Sequence, residues 1–196
     1  MSAASRTPLT LAGAVVAALL LSACSSGGTS GGSGGTGFVM GEDGIATVKK
    51  GERDAAPDLS GETVDGEQLD LASYQGKVVV LNIWGSWCAP CRAEAPIFEK
   101  VYQDLKKDGV EFVGINTRDA TVQKARAFEE DRGVTYPSLY DPTGKLMLRF
   151  KKGTLNPQAI PSTLVIDRDG KLAARSLAAL GEESLRKMIA PVLAEK

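Results

Sequence analysis

Val78-Val79-Val80-Leu81-Asn82-Ile83-Trp84 runs into Gly85-Ser86-Trp87 and then Cys88-Ala89-Pro90-Cys91. Six of the first seven residues are apolar and four are β-branched, the pattern of a strand buried on both faces at the middle of a sheet. From Cys88 to about Lys107 helix formers take over, with Ile97, Val101 and Leu105 at helical spacing and Gly109 as a stop signal. The stretch reads as strand, corner, helix. It places two thiols three positions apart on a first helical turn, where i and i+3 are neighbours. A disulfide needs Cβ atoms about 3.8 Å apart, which that turn reaches, and Pro90 sits where a backbone donor is spare.

A thiol at a helix N-terminus meets unpaired N–H groups and the positive end of the dipole, both of which favour its thiolate. Cys88 is therefore the expected nucleophile on a partner disulfide, and Cys91, one turn deeper, the thiol that releases the partner. A purely stabilising bridge is the bland alternative. In the chain-entropy model so short a loop contributes only about 2 kcal/mol, against about 4.7 for a 100-residue loop. A zinc half-site would need further Cys or His ligands.

Downstream, Val110 to Asn116 reads as a second strand, Ala120 to Arg132 as a helix, and Tyr136 to Tyr140 as a short extended piece. Ser162 to Ile166 and Leu172 to Ser176, joined by Asp167-Arg168-Asp169-Gly170, form a hairpin, and Glu182 to Leu193 a last helix. Upstream, Asp58 to Leu71 contains the turn Val64-Asp65-Gly66-Glu67 between short segments, a second hairpin, while residues 38–56 form an N-terminal extension able to pair as a strand. A βαβ unit followed by ββα predicts an α/β fold: a mixed central sheet with helices on both faces and an N-terminal β extension.

At the N-terminus Arg6, the apolar run Leu9 to Leu21 and then Leu21-Ser22-Ala23-Cys24 read as a signal peptide over residues 1–23. The run is shorter than the roughly 20 residues that span a bilayer. The last four residues resemble a bacterial lipobox, which implies cleavage before Cys24 and lipid on its sulfur and new amino group. Several acyl chains hold a protein stably where one would not. Ser25 to Gly37 are almost wholly Gly, Ser and Thr, a flexible tether with a span of roughly 20 Å.

Gly76 to Trp84 leading into Trp87-Cys88-Ala89-Pro90-Cys91-Arg92-Ala93-Glu94, together with Ile160-Pro161-Ser162-Thr163 and Asp169-Gly170-Lys171, resembles the thioredoxin superfamily and, within it, the membrane-tethered TlpA/ResA-like group. The resemblance covers about Ala56 to Leu193, and it divides the chain into signal peptide 1–23, lipidated cysteine and tether 24–37, extension 38–56 and thioredoxin-like domain 57–196. It implies a redox-active Cys88–Cys91 disulfide with no bound cofactor and no metal. It also implies a cis bond before Pro161, whose loop lies beside the thiols, and a substrate surface made by Trp87, Ala89, Pro90, Ile160 and Pro161. Thioredoxin has a buried aspartate where this chain has Asn82. The TlpA/ResA-like group brings an acid near the cysteines from the loop after the next strand, where Asp119 stands here, with a loop or N-cap role as its alternative. Trp84 is expected in the core and Trp87 partly exposed.

The same resemblance implies an enzyme on the extracytoplasmic face of the cell membrane. It would be a disulfide reductase fed by a membrane thiol carrier and acting on exported protein disulfides or dithiols, apocytochrome c being the first candidate. A monomer is expected. Other readings are a peroxidase of the redoxin type, which would need a Thr-x-x-Cys setting, a binding lipoprotein with a structural bridge, and a copper chaperone. With no histidine among 196 residues, copper, zinc-hydrolase and Ser-His-Asp chemistries lose their usual groups. A net charge of -1 provides no basic field for nucleic acid.

Overall fold

A computed structural model describes residues 35–195; the signal peptide, Cys24 and all but the end of the tether lie outside them. The strands are β1 (Val39–Met40), β2 (Ile45–Thr47), β3 (Ser60–Glu62), β4 (Gln68–Asp70), β5 (Val78–Trp84), β6 (Val110–Thr117), β7 (Ser138–Asp141), β8 (Ser162–Ile166) and β9 (Leu172–Ser176). The helices are α1 (Ala89–Leu105), α2 (Val122–Arg132) and α3 (Glu182–Leu193). Seven strands form one sheet in the order β1-β2-β9-β8-β5-β6-β7, and β3-β4 stand apart as a hairpin.

Every residue of β5 is buried, as an apolar run flanked on both sides requires. It pairs parallel with β6 and antiparallel with β8, so the cysteines after it emerge at mid-sheet rather than at an edge. The expected N-terminal pairing is realised by β1 and β2, which add antiparallel to β9. Arg53 fastens this extension. Its buried guanidinium meets Asp167 at 2.8 Å in the β8–β9 turn and Glu195 at 2.6 Å beyond α3.

Because side chains alternate along a strand, β5 serves two cores. Val79, Leu81 and Ile83 face one cluster with Val113, Ile115 and Leu164, covered by the short 3-10 turns Leu71–Tyr74 and Met147–Arg149 and by the β3–β4 hairpin. Val78 and Val80 face the other, beneath α1 and α3 through Phe98, Val101, Leu185 and Ile189. Trp84, on that second face, packs with Cys91 and Ala95 of α1 and Phe128 of α2. All three α-helices thus gather over one face, while short 3-10 helices and the β3–β4 hairpin cover the opposite one, so the helices expected on both faces are α on one side and 3-10 on the other. On α1 the buried stripe is Cys91, Glu94, Ala95, Phe98 and Val101, so Phe98 fills the core and Ile97 is half-buried.

Candidate active site

Cys88 is the N-cap of α1: its backbone is extended, and its sulfur accepts the N–H of Cys91 at 3.2 Å. Pro90 occupies the first turn, where its missing N–H costs nothing. The two cysteines form a disulfide with Sγ–Sγ 2.01 Å and Cα–Cα 5.3 Å. Both are buried, Cys88 at 4% exposure and Cys91 at 1%. A partner therefore reaches Cys88 only along the rim formed by its neighbours. Trp87 is that rim's large exposed ring, at 52%, while Trp84 is core, stacked on Phe128 at 4.4 Å.

The Ile160–Pro161 peptide is cis. Pro161 is buried, and half-buried Ile160 packs against the cluster that contains both cysteines. Ser162, next in the chain, opens β8 opposite Ile83, which brings this loop to the same end of the sheet as the corner at residues 85–87. Ala89 and Pro90, between the thiols, are exposed.

Asp119 lies at 2% exposure, with its carboxylate surrounded by donors. Oδ2 accepts from the backbone of Ser86 at 2.9 Å and from Asn116 Nδ2 at 2.6 Å, and Oδ1 from the Ser86 hydroxyl at 2.5 Å. These bonds tie the Ser86 corner to the end of β6. Asp119 does not cap α2, whose N-cap is Thr121.

The acid that sequence reasoning passed over is Glu94. It is 2% exposed, one helical turn past Cys91 on the same buried stripe of α1. Asn82 donates to its Oε1 at 3.0 Å, and the backbone of Leu180 donates to its Oε2 at 3.1 Å. Asn82 also lines, with Cys91, Trp84 and Tyr136, a crevice too small for water. Burial pushes the Glu94 carboxyl up to about 7, and the Asn82 and Leu180 bonds only partly oppose that. Two signals could have found it: position i+3 from Cys91 on the apolar stripe, and Asn82, a buried amide that must find a partner.

No helix among the described residues is long and apolar enough to cross a membrane. Residues 53–175 match the AhpC/TSA family. The thiol-disulfide oxidoreductase ResA of Geobacillus thermodenitrificans is 30% identical over 132 residues, 67% of this chain and 72% of that protein. The thiol:disulfide interchange protein HelX of Rhodobacter capsulatus is 37% identical over 126 residues, 64% of this chain and 66% of that one. Among solved structures, a DsbF homologue from Corynebacterium diphtheriae superposes with a TM-score of 0.70 at 36% identity, covering 77% of this chain and 94% of that one. A secreted thiol-disulfide isomerase from Corynebacterium glutamicum gives 0.73 at 31%, covering 83% and 100%. With its thioredoxin-like sheet, the chain belongs to the AhpC/TSA family and, within it, to the ResA-like thiol-disulfide oxidoreductases.

Proposed function

We propose that the protein is a disulfide reductase held by a lipidated Cys24 on the extracytoplasmic face of the cell membrane, with exported proteins as substrates and apocytochrome c first among them. The observation that carries the redox role is the placement of Cys88 Sγ at the N-terminus of α1, already accepting the Cys91 N–H. That geometry stabilises a thiolate once the bridge is reduced. The electrons travel on the cysteine pair itself, so no bound cofactor is required, and all the groups of the site come from one chain, so a monomer suffices.

In the forward direction the Cys88 thiolate attacks a partner disulfide, forming a mixed disulfide and expelling one partner thiolate. Cys91 then gives up its proton and attacks Cys88 Sγ. The Cys88–Cys91 bond forms, the mixed disulfide breaks, and the second partner thiolate leaves. Two electrons pass to the partner and its two thiolates take up two protons. A membrane dithiol protein resets the pair by the same steps in reverse. Glu94 is suited to hold the Cys91 proton: it lies one turn away in a dry setting and titrates near neutrality. Asp119 acts differently, holding the Ser86 corner on which Trp87 and Cys88 depend. Trp87, Ala89, Pro90 and the Ile160–Pro161 loop form the surface against which an extended partner segment lies.

The test is to express a full-length Cys91→Ser variant in its native membrane. It should accumulate mixed disulfides on Cys88 that dithiothreitol releases and that Cys88→Ser lacks. Recovery of no covalent partner would overturn the exchange reading.

A further inference from the structure

Arg118 is the one described residue other than glycine with a positive φ, 60°. A left-handed backbone at such a residue costs about 1 kcal/mol or more and persists where surroundings impose it. Its guanidinium lies over the Trp87 ring, 4.9 Å from the centroid, and its Nε and Nη2 are buried without a hydrogen-bond partner. Trp87 is held from below as well: a Cβ at Gly85 would stand 2.7 Å from the indole Nε1, so the ring folds back over bare backbone. Arg92, exposed on α1, reaches back to the Ser86 carbonyl at 3.5 Å. One guanidinium therefore lies over the ring, and a second meets the backbone of the same corner beside Cys88.

The acids on the adjoining segments lie beneath the surface, Asp141, whose carbonyl accepts the Arg118 N–H, among them. The segments that carry or border the dithiol are 85–95, 117–119, 159–162 and 177–180, the last bonded to Glu94 through Leu180. Their charged residues are Arg92, Glu94, Arg118 and Asp119, and both acids are buried with their oxygens already engaged. Asp65, beyond Val64 of the same apolar cluster, is met by Arg126 at 3.8 Å. With those acids buried, the charge that a partner meets at the rim is that of the guanidinium groups.

We propose that Arg92 and Arg118 form a cationic clamp around Trp87 that selects partner segments bearing an acidic side chain within two or three residues of the reacting cysteine. The inference rests on the exchange reading above and names its substrate class. Arginine suits the role because its planar fork keeps its charge while stacked on the ring, as at Arg118, and Arg92, exposed on α1, offers donors to a carboxylate. Complementary charge of this kind changes encounter and choice of partner more than the chemistry of the sulfur.

The experiment uses reduced full-length protein in detergent and three homodisulfide peptides, Gly-Glu-Cys-Glu-Gly and its Gln and Lys counterparts. The second-order rate of enzyme oxidation is followed by quenched alkylation. Differences in intrinsic peptide reactivity cancel when wild type and variants are compared through the Glu-to-Gln rate ratio. At low salt that ratio should fall about 5-fold in Arg92→Gln/Arg118→Gln, and it should fall similarly for wild type in 0.5 M NaCl, since exposed pairs contribute little each and are screened. Arg92→Gln alone, at an exposed helical site, should give about a 2-fold fall and guards against misfolding of the Arg118 variant. A ratio that neither variant alters, or a faster Lys peptide, overturns the clamp. Reaction with no peptide at all overturns dithiol exchange instead.

Discussion

Glu94 on α1 and Glu129 on α2 make a natural pair: two acids over the same face of the sheet, each pushed up to about 7 with burial as the leading cause. Their surroundings differ. Glu94 has both oxygens bonded, by Asn82 and the Leu180 backbone, and follows Cys91 by one turn. Glu129 leaves Oε1 without a partner. It lies on the far side of Trp84, whose indole donates to Ser138 Oγ at 3.2 Å, and Ser138 is the group that most opposes the rise at Glu129. Asp65 adds a further upward push and Arg126 a downward one. Both acids act on Tyr136, whose hydroxyl is kept neutral first by burial and then by Glu94, Glu129 and Glu99. Equal displacement from the ordinary range thus says that an acid is buried; only its neighbours say whether the proton has anywhere useful to go.

The comparison breaks most visibly at Glu94. Replacement by Gln keeps the Asn82 contact in one orientation but removes the titrating group, so dithiol exchange at pH 7 should slow about 100-fold, the lower part of the range for a positioned proton-transfer group. The pH–rate profile should lose its inflection near 7. Stopped-flow oxidation of the reduced protein between pH 5.5 and 8.5 would show this. A retained inflection would move the role elsewhere.

Glu129 should answer in stability rather than rate. In the unfolded chain the carboxyl ionises near 4.5, in the fold near 7. Between those values the native state holds a proton that the unfolded chain has released, so stability is complete below 4.5 and is lost as pH rises through 7. A shift of this size corresponds to about 3 kcal/mol. Glu129→Gln should therefore flatten the fall in stability between pH 5 and 8 and gain about 2 kcal/mol over wild type at pH 8 by urea unfolding. Its exchange rate should stay within about 2-fold of wild type, since surrogate amides away from the reacting atoms leave transition-state contacts in place. A rate loss matching that of Glu94→Gln would erase the distinction between the two acids.

How each acid could have been read from sequence follows from local pattern. The run from Val78 to Cys91 carries its fold openly, because a strand apolar at all but Asn82 has one place to go and the helix signals after it are strong. The hairpin strands Ser162–Ile166 and Leu172–Ser176 and the helix Glu182–Leu193 were legible to the residue. Glu94 was hidden, because a glutamate on a helix reads as solvated until the phase of the stripe is fixed, and Ile97 set that phase one residue off. Glu129 sits in Phe128-Glu129-Glu130-Asp131-Arg132, a stretch whose charges mask the buried face. Arg118 was illegible for another reason: no sequence pattern announces a left-handed arginine.

Asp119 sharpens the contrast from the opposite side, being an acid with donors on both oxygens that positions backbone. Asp119→Asn must turn one oxygen into a donor facing the Ser86 N–H, its hydroxyl or Asn116. Exchange should slow several-fold through the loosened corner, about 1 kcal/mol of lost positioning, while the inflection near pH 7 stays where Glu94 puts it. Loss of the inflection in this variant would mean that Asp119 shares the proton.

The smallest effect on exchange belongs to Ser138, where the two halves of the comparison touch. Gly114 has no Cβ because one would stand inside the Ser138 side chain and 2.8 Å from Trp84 Nε1, so the hydroxyl, the indole and the strand below are packed without slack. Ser138→Ala removes the acceptor of the buried indole N–H and the group that most restrains the Glu129 shift. Stability should drop by about 1 to 2 kcal/mol for the orphaned donor, and the pH-dependent fall assigned to Glu129, which still begins where the unfolded carboxyl ionises, should extend to higher pH. If Ser138→Ala also moves the inflection in the exchange profile, Trp84 transmits the state of Glu129 to Cys91 across their shared crevice, and the two acids act as one system rather than as neighbours separated by a ring.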